Sequence, residues 1–143
     1  MKTEKKSSHN AYNIYYHITF CPKYRHRVIE GRLETALKHI INNICITYSF
    51  NLIEIECMPD HIHIFLSASP SYSPAKIVRI LKSISARKIF YIFPQLKEQK
   101  FWGSGLWSRG YYVETIGSTT KDNIRKYIQR QKEKGQFNHL PQR

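Results

Sequence analysis

The segment from residue 51 to residue 67 constrains the fold most strongly, because two strand patterns flank one tight turn. In NLIEIECM, Ile53 and Ile55 alternate with acidic residues, which is typical of a strand with one apolar face. Pro59 and Asp60 favour a turn, and HIHIFLSA continues as the next strand. The segment therefore predicts a β-hairpin.

The other elements follow in an order that indicates a fold class. The predicted elements outside the hairpin are strands at residues 11–20 and 111–117, and helices at residues 33–50, 73–93 and 118–135. Ser73 is the expected N-cap of the second helix. The order β-α-β-β-α-β predicts an α+β, ferredoxin-like (RRM-like) fold with an antiparallel sheet, helices on one face and an added C-terminal helix.

The length of 143 residues fits one domain. We predict a flexible basic arm at residues 1–10, a single domain at residues 11–135 and a polar tail at residues 136–143. No apolar run approaches the roughly 20 residues of a membrane span. The polar, basic start also lacks the apolar segment of a secretory signal.

The charge indicates a polyanionic partner. The net charge is +13 and the isoelectric point is about 9.8, which favours nucleic acid. An anionic membrane is the weaker alternative, because no terminal basic helix with a large apolar face is predicted. Three widely spaced cysteines indicate neither a disulfide framework nor a cysteine zinc site, so a reducing cytoplasm is expected.

The second strand of the hairpin carries two histidines on one face. Side chains alternate along a strand, so His61, His63 and Phe65 point away from Ile62 and its apolar neighbours. The two histidines lie about 6.5–7 Å apart along the strand, which allows both rings to bind one divalent ion. Two ligands bind weakly, so a third is needed. A purely structural role for the pair remains an alternative at this point.

The last predicted helix carries a tyrosine with a polar residue one turn later. Ile124, Tyr127, Ile128 and Gln131 share one helix face at i, i+3, i+4 and i+7. Pattern alone equally allows Tyr127 to be a core residue. Among the ten tyrosines, Tyr127 alone combines a helix, this spacing and a basic surrounding. Tyrosines in the predicted strands are expected to pack: Tyr12, Tyr15, Tyr16, Tyr111 and Tyr112.

Together these motifs resemble a known family. His61-Ile62-His63 is a histidine–hydrophobic–histidine (HUH) motif, and Tyr127 with Gln131 is similar to the helix-borne nucleophile and ligand of the single-tyrosine HUH transposases (the IS200/IS605 insertion-sequence type). The resemblance covers about residues 11–134. The blocks that carry it are CPKYRHRV, MPDHIHIF, LWSRGYYVETIG and IRKYIQRQ.

The resemblance implies an activity, a site and partners. A member of this family, from bacterial and archaeal insertion sequences, cleaves and rejoins single-stranded DNA with subterminal hairpins through a 5′-phosphotyrosine, without a nucleotide cofactor. Tyr127 would be the nucleophile, and His61, His63 and Gln131 would hold Mg²⁺ or Mn²⁺, with zinc as a competing ion. A homodimer with active sites in trans is expected. Basic and aromatic candidates for DNA contact are Lys23, Tyr24, Arg25, Arg27, Arg79, Lys82, Arg87, Lys88 and Arg125.

Three alternatives differ in class. The first is a non-catalytic, ferredoxin-like module that binds single-stranded nucleic acid. The second is another HUH nickase, such as a replication initiator or relaxase. The third is a metal-dependent or two-histidine phosphoesterase, which would need a second HxT or HxH motif. The other histidines stand alone in the sequence: His9, His17, His26, His39 and His139.

Overall fold

The computed structural model describes residues 5–6, 11–12, 14–116 and 121–133; within these, the side chains of residues 5, 6, 11, 12, 121, 124, 131 and 132 lie outside the description. The strands are β1 (Lys5–Lys6), β2 (Ala11–Tyr12), β3 (Tyr15–Phe20), β4 (Asn51–Met58), β5 (His61–Ser67) and β6 (Tyr112–Ile116). The helices are α1 (Gly31–Tyr48), α2 (Pro74–Ile92), α3 (Pro94–Phe101) and α4 (Lys121–Glu133), with a 3₁₀ turn at Lys23–Arg25.

Four strands form one antiparallel sheet in the order β4-β5-β3-β6. Ile18 at the centre of β3 pairs with Ile64 on one side and Val113 on the other. The predicted hairpin is β4-β5, and its register shifts once, between Leu52 and Glu54. With α1 after β3 and α2 after β5, this is the ferredoxin-like arrangement, so the predicted fold class is confirmed.

One face of the sheet packs on α1 and α2 and forms the main core. Ile18, Ile62 and Ile64 are buried there against Leu37 of α1 and Leu81 of α2. These residues follow the period of two along strands and the helical spacing along α1 and α2, so each element offers one apolar side. The predicted inward face of β5 is therefore confirmed.

The opposite face of the sheet carries a second, smaller cluster. Tyr15 and Phe65 are buried there with Ile128 of α4, and Tyr127 packs against them. The C-terminal helix α4 therefore covers the side of the sheet that α1 and α2 leave open. This placement brings the tyrosine helix to the face that carries His61 and His63.

Several element bounds differ from the predictions. The first predicted strand is split: β2 pairs with β1 in a separate two-stranded ribbon, and only β3 joins the main sheet. Pro94 directly follows the predicted helix at residues 73–93, and the structure starts a further helix, α3, at this proline, since proline fits the first turn, where its missing N–H is not needed. The predicted ends of the last helix, at residues 118 and 135, and the polar tail lie outside the described residues. The domain bounds stay predictions.

The cap of α2, the cysteines and the lengths of the helices complete the description of the fold. Ser73 caps α2 as predicted, because its Oγ accepts a hydrogen bond of 3.1 Å from the backbone N–H of Lys76. Cys21, Cys45 and Cys57, all within the described residues, form no disulfide. None of the helices that the structure describes is long and apolar enough to span a bilayer.

Candidate active site

Strand pairing assembles a polar cluster on the α4 side of the sheet. His63 of β5 lies opposite Thr19 of β3, and His17 of β3 lies opposite Phe65 of β5 and Glu114 of β6. Directly opposed residues of an antiparallel pair project from the same face. The cluster therefore gathers side chains from three strands that are far apart in the sequence.

Tyr127 reaches this cluster from α4. Its hydroxyl lies 2.5 Å from Glu114 Oε1 and 3.1 Å from His17 Nδ1. The neighbouring Ile128 is buried in the second cluster and anchors the helix, and the Tyr127 ring lies 6.3 Å from the Phe65 ring. The phenol is thus held between a carboxylate and an imidazole by packing and two hydrogen bonds.

His17 connects the tyrosine to the histidine motif. His17 Nε2 lies 2.8 Å from His63 Nδ1, and Thr19 Oγ1 lies 2.9 Å from the same nitrogen. Burial lowers the pKa of His17 to about 4, although the charge of Glu114 opposes that shift. His17 is therefore a neutral imidazole at neutral pH, with one donor nitrogen and one acceptor nitrogen.

The directions of these hydrogen bonds follow from the Glu114 carboxylate at one end of the chain. A carboxylate only accepts, so the Tyr127 hydroxyl donates to Glu114. The phenol oxygen then accepts from Nδ1–H of His17, and Nε2 of His17 accepts from Nδ1–H of His63. This assignment leaves the proton of His63 on Nδ1 and makes Nε2 its lone-pair nitrogen.

His61 is oriented by a separate pair of charges. Its Nδ1 lies 2.8 Å from Asp60 Oδ1, and Asp60 Oδ2 accepts a hydrogen bond of 2.9 Å from Arg25. Burial alone raises the pKa of Asp60, but the hydrogen bond to His61 and the charge of Arg25 outweigh it and hold that pKa below its ordinary value. The carboxylate therefore fixes the Nδ1–H tautomer of His61 as well.

The histidine pair fits a divalent metal. Both rings donate through Nδ1 to a protein group, so Nε2 is the nitrogen that each ring could offer to a metal, as in metal sites supported by outer hydrogen bonds. The ring centroids of His61 and His63 are 5.0 Å apart, with an interplanar angle of 82°. Within the described residues, no three His, Cys, Asp or Glu side chains form a metal-binding group. Gln131 lies one turn after Tyr127 in α4, but its side chain is outside the description.

The environment keeps the tyrosines of the site protonated. Burial, the hydrogen bond to Glu114 and its negative charge all raise the pKa of Tyr127. Burial and the same carboxylate raise the pKa of Tyr112, which donates to Glu114 over 2.8 Å, to about 12. A phenol with a raised pKa, such as that of Tyr127, could act as a nucleophile only with a proton acceptor beside it.

Sequence reasoning missed several residues of this cluster. The interpretation of His17 as an isolated histidine was wrong, because strand pairing places it against His63 and Tyr127. Thr19, Asp60 and Glu114 were not considered as site residues. The alternation in β3 puts His17 and Thr19 on one face, but only the register with β5 and β6 shows what that face meets.

The predicted DNA-contact residues lie on separate surfaces. Lys23, Tyr24 and Arg25 form the 3₁₀ turn after β3, and Arg27 and Arg125 are exposed. Arg79 and Lys82 line a groove of about 590 Å³ between α2 and the segment before β6. Arg87 and Lys88 line a second groove, between α1 and α2. The described residues therefore offer several basic surfaces, and each DNA contact stays a prediction.

Lys82 has a structural role in the groove between α2 and the segment before β6. Its ammonium donates to the backbone carbonyls of Ser108, Arg109 and Gly110 at 2.7, 3.3 and 2.9 Å. Burial lowers the pKa of Lys82, and these carbonyls satisfy the donors that burial removes from water. Lys82 thus ties the segment before β6 to α2, which makes it the least available of the predicted DNA contacts.

Comparison with known proteins gives one consistent result. The protein family described as "Transposase IS200 like" matches residues 10–131. The ISDra2 transposase TnpA of Deinococcus radiodurans is 41% identical over 130 residues, covering 91% of this chain and 92% of the relative. The transposase for insertion sequence element IS200 of Salmonella typhimurium is 36% identical over 133 residues, covering 93% and 86%.

Solved structures agree with this result. A crystal structure of a Deinococcus radiodurans protein described as a transposase superimposes with a TM-score of 0.71 at 37% identity, covering 89% of this chain and 97% of the other. A REP-associated tyrosine transposase bound to a REP hairpin shares the fold at 15% identity, with a TM-score of 0.55 and coverage of 90% and 68%. The match along most of the chain shows that this protein belongs to the IS200-like transposase family.

Proposed function

We propose that this transposase cleaves and rejoins single-stranded DNA through a 5′-phosphotyrosine on Tyr127, with a divalent metal at His61 and His63. The observation that carries the proposal is the hydrogen-bonded path from the Tyr127 hydroxyl through His17 to His63. A tyrosine hydroxyl that donates to a carboxylate able to take its proton, on the face that carries the HUH motif, is suited to phosphodiester transfer.

Tyr127 and Glu114 can carry out the first step, cleavage of the DNA strand. The Tyr127 oxygen attacks the phosphorus, its proton passes to Glu114 at 2.5 Å, and the bond from phosphorus to the 3′-oxygen breaks. The leaving 3′-oxygen takes a proton from water and becomes a free hydroxyl. A 3′-hydroxyl of another strand can reverse the step, because the phosphotyrosine ester keeps the bond energy, so no nucleotide cofactor is needed.

The residues present fit a metal ion at one end of this path. His61 and His63 would hold it through Nε2, and Gln131 is proposed as a third ligand from α4. Nitrogen and amide oxygen ligands with remaining open positions suit Mg²⁺ or Mn²⁺. When bound, such an ion polarises the phosphate and stabilises charge on the leaving oxygen.

The proposed DNA partner is a single strand with hairpin ends. A net charge of +13 favours a polyanion, and a protein of the same fold was solved bound to a REP hairpin. We also propose a homodimer in which α4 of each protomer serves the HUH site of its partner. In the single chain, Tyr127 lies over its own sheet, so a trans arrangement would require α4 to be exchanged.

Covalent labelling tests the proposed function directly. The protein is mixed with single-stranded DNA from the flanks of its gene and Mn²⁺, and an SDS-resistant adduct is isolated. Trypsin cleaves after Lys126 and Arg130, so the nucleotide should be found by mass spectrometry on the peptide Tyr-Ile-Gln-Arg. A chelator should prevent the adduct. Binding without any adduct would favour a non-catalytic module, and cleavage without strand transfer would favour a nickase.

Glu114→Gln is expected to slow adduct formation while leaving the site assembled. The amide oxygen can still accept the hydrogen bond from Tyr127, but it cannot take the proton. We expect single-turnover adduct formation about 10²-fold slower or more at neutral pH, with the difference narrowing as pH rises and hydroxide removes the proton. DNA affinity should not change. Equal rates across the pH range would show that Glu114 accepts no proton.

A further inference from the structure

Two aromatic side chains meet at the surface near the 3₁₀ turn. Tyr24 is 47% exposed and Trp102, which follows α3, is 71% exposed, yet their ring centroids are only 5.3 Å apart. The Tyr24 ring also contacts the half-buried His26, which packs on the buried Phe101. Packing against His26 and Phe101 therefore holds the pair in place, although most of the indole of Trp102 is exposed to water.

The backbone at this pair adopts a strained conformation, which costs conformational free energy. Tyr24, Arg25 and Trp102 have φ angles of 61°, 52° and 51°, in the left-handed region that bulky residues rarely adopt. A glycine after α3 would avoid that cost, since this position commonly ends a helix in the left-handed conformation. Tryptophan gains little burial at this position to offset the strain. Residues held this way cluster at ligand-binding sites.

The surroundings of the pair suit single-stranded nucleic acid. Lys23, Arg25 and Arg27 adjoin Tyr24 in the chain, and Lys100 precedes Trp102 by two residues. Arg25 in turn binds Asp60, whose other oxygen orients His61. Exposed aromatic rings beside cationic side chains are the arrangement by which proteins stack bases and hold the backbone of a single strand.

We infer that Tyr24 and Trp102 form a stacking platform for an unpaired base of the single-stranded DNA that enters the site at His61. This inference rests on the proposed function for the identity of the nucleic acid. Lys23 and Arg27 contact the phosphates beside that base. Sequence reasoning assigned Tyr24 to DNA contact on its basic surroundings, whereas Trp102 is brought to it only by the fold.

Intrinsic fluorescence tests the platform with defined probes. The protein has two tryptophans, and Trp107 is buried with its Nε1 donating to Ser85, so the exposed indole of Trp102 should respond to stacking. Oligothymidylate should quench the emission, and an abasic strand of the same length should not. Trp102→Ala and Tyr24→Ala should each weaken oligothymidylate binding about tenfold, and Trp102→Phe should keep the affinity but lose the quenching.

Two controls separate stacking on this pair from stacking on another exposed ring and from an effect on folding. Tyr91→Ala removes an aromatic ring that is 86% exposed elsewhere, on α2, and should leave the affinity unchanged. Trp102→Gly relieves the left-handed backbone, so it should lower the affinity without lowering the melting temperature. Equal quenching by the abasic strand, equal loss in Tyr91→Ala, or unchanged affinity in Trp102→Ala would each overturn the platform.

The adduct assay keeps this inference distinct from the proposed function. If Tyr127 forms the adduct and Trp102→Ala binds oligothymidylate like the parent, the platform is wrong and the transposition chemistry stands. If no strand yields an adduct while oligothymidylate still quenches Trp102, the platform stands and the chemistry is wrong.

Discussion

Tyr127→Phe is expected to abolish the covalent DNA adduct and all strand transfer. The substitution removes only the hydroxyl, which is the proposed nucleophile, and keeps the ring that packs on Phe65. The change also deletes the hydrogen bonds to Glu114 and His17. Glu114 keeps Tyr112 as a donor, so the cost in free energy of unfolding should be about 1–2 kcal/mol. Adduct yield on denaturing gels and urea unfolding measure the two effects.

Tyr112→Phe is the matched control for this variant. Tyr112 donates to the same carboxylate from β6, so its loss changes the surroundings of Glu114 to a similar extent. We expect this control to form the adduct at a rate within about tenfold of the parent, because the nucleophile is intact. An adduct that survives in Tyr127→Phe and disappears in Tyr112→Phe would show that Tyr112, and not Tyr127, is the nucleophile.

His63→Ala should have a comparably large effect, through the metal. Removing an outer hydrogen-bonding partner of a metal ligand typically costs about 10–100-fold in affinity or activity. Loss of a ligand itself should therefore reduce adduct formation by more than about 100-fold. The variant also removes the hydrogen-bond partner that His63 provides to His17 and Thr19, which loosens the path to Tyr127.

Metal affinity distinguishes this effect from simple unfolding. Mn²⁺ titration followed by calorimetry or paramagnetic resonance should show one site in the parent and strongly weakened binding in His63→Ala. His39→Ala on the exposed side of α1 is the matched control and should bind Mn²⁺ as the parent does. Normal Mn²⁺ binding by a folded His63→Ala protein would contradict the assignment of His63 as a ligand.

The local periodicity of the sequence is enough to predict which faces of β5 and α4 hold the site residues. The alternation in HIHIFLS separates His61 and His63 from the apolar face of β5, and the structure confirms that separation. The helical spacing of Tyr127 and Ile128 likewise puts the tyrosine beside the residue that docks α4. These features depend on the repeat of one strand or one helix, so a single segment is enough to predict them.

Residues contributed by other strands could not be predicted in the same way. His17, Thr19 and Glu114 join the site because β3 lies between β5 and β6 in one particular register. A shift of one residue in that register would turn His17 to the opposite face. Many distant contacts determine the register together, and no single segment of the sequence contains it.

The sequence by itself therefore determined the order of the four strands of the main sheet and of α1, α2 and α4, the face of β5 that carries His61 and His63, and the tyrosine face of α4. Only the tertiary structure decided which groups surround the Tyr127 phenol and that Trp102 lies against Tyr24. The physical reason is the distance along the chain over which each feature is determined. Backbone periodicity is a local property, whereas strand register and the contact between two loops arise from packing among residues far apart in the chain.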